Sequence, residues 1–168
     1  FRSISRLSQV LSDGLDLVIT NIWISAYLMG ELSIAQQIPT YISTLTNTLI
    51  NLFSPNLTMY YAKDDTEAVV KELKLSMKFS SFFVNIIFCI LVIFGKYFMQ
   101  LWVPNQDVNL IYSLLVVIMM SLLVSGVTTS LNNVFLVTNR LKVNSIFWLI
   151  ISFTNVLLVF IFLNTTRS

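Results

Sequence analysis

The sequence predicts an all-α integral membrane protein with five transmembrane helices, and three observations carry that expectation. Of the 168 residues, 56% are hydrophobic and only 11% are charged, against about 25% charged in a soluble domain. The mean hydropathy is +0.81. The apolar residues gather in long runs, each able to cover the ~30 Å hydrocarbon core at about 1.5 Å per residue. The expected spans are 5–28, 34–60, 79–98, 108–138 and 143–163, with a charged amphipathic linker at 62–78.

The first span organises the rest. Read as a helix, it places Arg2, Arg6, Gln9, Asp13, Asp16 and Thr20 on one face at steps of three and four. An aspartate at the centre of a spanning helix costs roughly 2.5–3.5 kcal/mol. The face is therefore expected to line a water-filled cavity, the usual setting for intramembrane ionisable groups. Taken alone, the segment also fits a surface amphipathic helix of a soluble bundle.

LMGELS follows as an expected polar turn, with Gly30 as breaker and Ser33 as cap. The second span carries no charge but repeats Gln36, Thr40, Ser43 or Thr44, Asn47 and Asn51 along one side. That stripe suits a cavity lining or hydrogen bonding between helices. Pro39 fits the first turns, and Pro55 is the expected kink.

In the linker, Asp64 or Asp65 can cap a helix, and Glu67 stands in capping-box spacing to Asp64. Lys71, Glu72, Lys74 and Lys78 oppose Val69, Val70, Leu73 and Met77, as on a short helix lying at a membrane surface; a solvated loop is the plainer reading. The third span is almost wholly apolar and ends at Lys96, Tyr97 and Trp102, residue types that settle at interfaces. Pro104 marks the next turn. The fourth run is longer than a membrane core, so a tilt, a projection or a kink near Gly126 is expected; Ser121, Ser125, Thr128 or Thr129 and Asn132 form a third polar stripe.

Of the ten basic residues, Arg2, Arg6, Lys63, Lys71, Lys74, Lys78, Arg140 and Lys142 fall on one side of this topology, and Lys96 and Arg167 on the other. The richer side is expected to be cytoplasmic, which puts the residue 1 end inside and the residue 168 end outside. With no histidine and one cysteine, Cys89, the chain has no internal disulfide and too few ligands for a zinc or thiol-redox centre. A net charge of +2 suggests no nucleic-acid surface. No cofactor is expected. The chain opens on Phe1 without the features of a signal peptide, and a fragment of a longer protein is expected.

The segments SQVLSDGLDLVITNIW, GELSIAQQIPTYISTLTNTLINLFSPNLTMYYAKDD, KYFMQLWVPN and LNNVFLVTNRLKVNS, in that order, resemble the second half of Wzx-type polysaccharide flippases, members of the multidrug, oligosaccharidyl-lipid and polysaccharide exporter superfamily. The resemblance covers essentially the whole chain and rests on the order of features, since no single motif is diagnostic. It implies most of one bundle of a two-bundle exporter fold that rocks about a central cavity. The partner wall would be the N-terminal bundle of the same protein.

The implied activity is transfer of undecaprenyl pyrophosphate-linked oligosaccharide from the cytoplasmic to the outer leaflet of a bacterial plasma membrane, alongside polysaccharide polymerase and chain-length machinery. Arg2 and Arg6 then become candidates for the pyrophosphate, or headgroup anchors. Asp13 and Asp16 become partners for a basic residue, a coupling site for H+ or Na+, or structural bonds. The sugar path would run along Arg6, Gln9, Asp13, Asp16, Thr20, Gln36, Thr40, Asn47, Asn51, Ser125 and Asn132. A cation-coupled drug or metabolite antiporter shares the fold but would favour aromatic or Met-rich walls. A membrane polymerase or glycosyltransferase needs an acid, base or metal cluster near one interface, and a scaffold subunit has no use for costly aspartates. No GxxxxGK[ST] loop for ATP occurs.

Overall fold

The computed structural model describes residues 17–22, 25–138, 146–147, 150–155, 157–158 and 161. These residues are helical apart from short turns, with no strand among them. Four complete helices follow one another: α1 (Ala26–Asn51), α2 (Ser54–Ala62), α3 (Thr66–Trp102) and α4 (Val108–Val137). Two compact units are distinguished, Phe1–Gly30 with Arg140–Ser168, and Glu31–Asn139. In the first, residues 17–22 and 150–155 are helical. Most of the expected first span and about half of the fifth lie outside the described residues.

α1 begins earlier than the sequence suggested. Ser25 is its cap, the hydroxyl accepting from the Leu28 backbone N–H at 3.1 Å. The turn expected at LMGELS is absent: Gly30 and Ser33 sit inside the helix. One interior glycine costs only about 1 kcal/mol against alanine, which a long helix absorbs. Pro39 is likewise interior and buried, well beyond the first turns.

The expected second span is two helices. Leu52 and Phe53 form a turn, their N–H groups donating to the Leu49 and Ile50 carbonyls at 3.2 and 3.1 Å. Pro55 lies at the start of α2, where its missing N–H removes no helical bond. The break is thus a restart of the helix around Pro55 rather than a kink.

The linker and the third span, by contrast, are one continuous helix of 37 residues. No proline interrupts it, and Asp65 caps it by accepting from the Ala68 N–H at 2.9 Å. Asp64 instead takes a left-handed conformation with φ of 54°, so the capping box with Glu67 does not form. α4 starts after Asp107, whose carboxylate accepts from the Asn109 and Leu110 N–H groups at 3.1 Å each. It runs unbroken through Gly126 to Val137.

α3 and α4 pack antiparallel along a seam of small residues. Ser76 and Ser130 share a hydrogen bond at 3.1 Å, and Ser80 donates to the Gly126 carbonyl at 2.9 Å. Further along, Gly95 lies beneath the Tyr112 ring, whose hydroxyl donates to the Val92 carbonyl at 2.7 Å. A Cβ on Gly95 would stand 3.2 Å from that ring, and one on Gly126 would stand 3.2 Å from Val84. Small residues at these positions permit the close helix approach that is also common between membrane-spanning helices. Ala35 and Ile42 of α1 complete a core with Met99, Ile111, Leu115 and Met119.

Thr66–Trp102 and Val108–Phe135 are the two helices, among the described residues, long and apolar enough to cross a membrane. Their most apolar stretches have mean hydropathies of 2.2 and 2.5, yet only 11% and 22% of those stretches is buried. Phe82, Ile86, Ile90, Ile93 and Tyr97 all point outward from α3. An apolar surface of this extent is compatible with contact to a membrane or to another protein surface.

Candidate functional site

Two of the three polar stripes meet. Ser43, Thr46 and Asn47 of α1, Val84 of α3, and Ser125, Gly126 and Thr129 of α4 line an open notch. Gly126 provides the room, because its carbonyl and missing side chain let α3 come close at Ser80 and Val84. The notch is small, about 10 Å³ of space for water centres, enough for one water and far too little for a sugar ring.

Its hydrogen-bonding capacity is unevenly spread. The Thr46 and Thr129 hydroxyls donate to the carbonyls of Ile42 and Ser125 at 2.7 Å each, one turn back on their own helices. Their oxygens keep lone pairs but have no proton to spare. Ser43 and the Asn47 amide have no hydrogen bond among the described residues, so α1 supplies the free donors. Such a lining suits neutral hydroxyls and amides or water. Among the described residues no group of three or more metal-ligating side chains occurs.

Other expected site residues are placed apart from the notch. Gln36 is half-buried and Thr40 exposed one turn above it, the Thr40 hydroxyl donating to the Gln36 carbonyl at 2.7 Å. Asn51 is exposed at the last residue of α1, and Asn132 is half-buried without lining the notch. Thr20 is half-buried in helical residues 17–22, its carbonyl accepting from the Ser25 N–H at 3.0 Å. Arg2, Arg6, Gln9, Asp13 and Asp16 lie outside the described residues.

Four polar residues with structural weight were not anticipated. Asn133, next to the expected Asn132, is the buried one; its amide donates to the Ile50 carbonyl at 3.3 Å and ties the end of α1 to α4. Ser76 and Ser80 hold the α3–α4 seam. Their spacing of four, matched by Gly126 and Ser130, was a readable signal for close helix packing. Glu31, expected in an outer turn, is 1% exposed; one carboxylate oxygen accepts from the Asp107 N–H at 3.3 Å and the other has no partner among the described residues. No family model, curated protein or solved structure matches the chain.

Proposed function

We propose that this chain belongs to a multi-pass flippase of the bacterial plasma membrane that moves undecaprenyl pyrophosphate-linked oligosaccharide to the outer leaflet by alternating access. The observation that carries the reading is the meeting of the α1 and α4 polar stripes in an amide and hydroxyl notch beside α3 and α4, whose outer faces carry exposed apolar side chains. Such a notch serves as one hydrogen-bonding point on a sugar path whose opposite wall comes from elsewhere. The spacing of exposed lysines on α3 supports a membrane setting: Lys78 and Lys96 are 18 residues apart, about 27 Å along a helix and close to the thickness of a hydrocarbon core. On this reading Arg2 and Arg6 engage the pyrophosphate, and Asp13 and Asp16 share the same polar face.

The test is complementation. The gene that encodes this chain is expressed in cells lacking their own flippase, and surface polysaccharide is scored for wild type, Asn47→Leu, Ser125→Leu and Asp13→Asn at matched membrane abundance. Restoration by wild type and loss in the variants supports the reading. Failure of wild type to restore polysaccharide, with altered drug resistance instead, would replace it by the antiporter.

A further inference from the structure

The continuity of α3 changes the meaning of the linker lysines. Lys71, Lys74 and Lys78 are exposed and follow one another at steps of three and four, so they form a single ledge. The face opposite them is the buried one that carries Ser76, Ser80 and Val84. The same outward face continues past the ledge into Phe82, Ile86 and Ile93, exposed by 67%, 43% and 63%. One side of one helix therefore runs from three cations into a largely apolar strip, in which the exposed Asn85 amide is turned back onto its own helix, donating to the Ser81 carbonyl at 2.8 Å.

The acids nearby do not neutralise the ledge. Glu72 points elsewhere and accepts from the Asn56 amide at 2.9 Å. Asp65 is engaged as the helix cap. Glu67 shares the ledge face but lies one turn before Lys71, about 6 Å farther from the apolar strip. No ion pair holds any of the three lysines among the described residues. Acids outermost, lysines next and aromatic or aliphatic groups innermost is the order in which a leaflet presents water, phosphate and acyl chain.

Resting on the membrane reading proposed above, we infer that Lys71, Lys74 and Lys78 form a docking ledge for anionic phospholipid headgroups, with the lipid tails lying along Phe82 and Ile86. The ledge holds phosphate by charge and by ammonium hydrogen bonds, and the tail contact fixes the lipid's depth. This surface faces away from the notch that Val84 helps to line, so it serves resident lipid rather than the transported molecule. Each lysine contributes about a five-fold preference for an anionic over a zwitterionic headgroup at low salt.

The experiment uses the full chain with Cys89→Ser and a bimane label at Phe82→Cys, reconstituted in bilayers of phosphatidylglycerol and phosphatidylcholine, with one or the other lipid brominated on its tails. The expected result is a phosphatidylglycerol preference at position 82 of about ten-fold or more. It should fall to near unity in the Lys71→Gln, Lys74→Gln, Lys78→Gln triple variant, survive in the corresponding arginine triple, and vanish in about 1 M salt, where screening acts within about 3 Å. Equal preference in the glutamine triple, or none in wild type, overturns the ledge. Relief of quenching by equimolar undecaprenyl diphosphate overturns the assignment to phospholipid in favour of the transported class. A second label at Ile93→Cys separates the two levels of the argument: no quenching by brominated phosphatidylcholine at either position means that the chain is not in the bilayer, and the membrane reading itself fails.

Discussion

Glu31 of α1 reaches the start of α4, where its Oε1 accepts from the Asp107 backbone N–H at 3.3 Å while its Oε2 is buried without a partner among the described residues. The Asp107 side chain meanwhile caps α4. One residue thus holds the helix end with its carboxylate, and is itself held through its N–H. The contact joins α1 to α4 at the end opposite Asn133 and Ile50.

Glu31→Ala removes the acceptor and leaves both a buried N–H and a void, so a loss of about 1–3 kcal/mol is expected. Glu31→Gln keeps the accepting oxygen and removes the need to compensate a buried carboxylate; it is expected to melt at or above the wild-type temperature. Thermal unfolding of the two variants in one detergent checks the order. A glutamine variant less stable than the alanine variant would mean that the carboxylate's second oxygen has a partner in solution.

At the seam, Gly126→Leu drives a side chain against Val84, which is 1% exposed and would stand 3.2 Å from the first added carbon. Overpacking of this kind costs typically about 1–3 kcal/mol. Adding Val84→Ala should restore much of the loss, so the pair is non-additive in a double-mutant cycle. Additive behaviour would place the two residues out of contact.

Ser76 and Ser130 are expected to couple more weakly. Interhelical hydrogen bonds inside membranes average about 0.6 kcal/mol, so a cycle of Ser76→Ala and Ser130→Ala should return a coupling of that order. A coupling indistinguishable from zero would show that the shared hydroxyl bond contributes packing alone.

The turn before α3 offers a pair of opposite sign. Asp65→Ala removes the cap of α3 and should cost about 1 kcal/mol. Asp64→Gly places the residue without a Cβ at a φ of 54° and should be neutral or stabilising by up to about 1 kcal/mol. Denaturation midpoints of the two variants, measured side by side, check both signs.

On the proposed membrane reading, water access distinguishes the notch from the outer face of α3. In a Cys89→Ser background, Asn47→Cys should react with a membrane-impermeant maleimide, whereas Ile86→Cys and Ile93→Cys should stay unlabelled until detergent is added. Rapid labelling of all three would argue that α3 is solvated along its length.

The helical class was legible because it depends on composition and period, which the chain carries residue by residue. α4 was expected over 108–138 and runs Val108–Val137; Asp107 and the long apolar run left few alternatives. Boundaries near polar clusters were less readable. LMGELS has the composition of a turn, yet Ser25 upstream captured the helix start, and Gly30 meets nothing that would require a break. The linker carries enough charge to resemble a separate element, but nothing in it opposes helix propagation.

The candidate site was legible only in part. Stripes at helical spacing drew attention to Asn47 and Ser125, and both line the notch. The same logic favoured Asn132, although its neighbour Asn133 is the buried partner of Ile50; one residue along a helix is a rotation of about 100°, which periodicity alone does not resolve.

Sequence alone determined that this chain is helical and that it carries long apolar stretches, because hydropathy and helix period are local properties. Tertiary structure decided which polar residues meet. Ser76 with Ser130, Glu31 with Asp107 and the α1 and α4 stripes around Gly126 are pairings across helices, and these are set by the register and closeness of packing, which depend on all the contacting side chains at once.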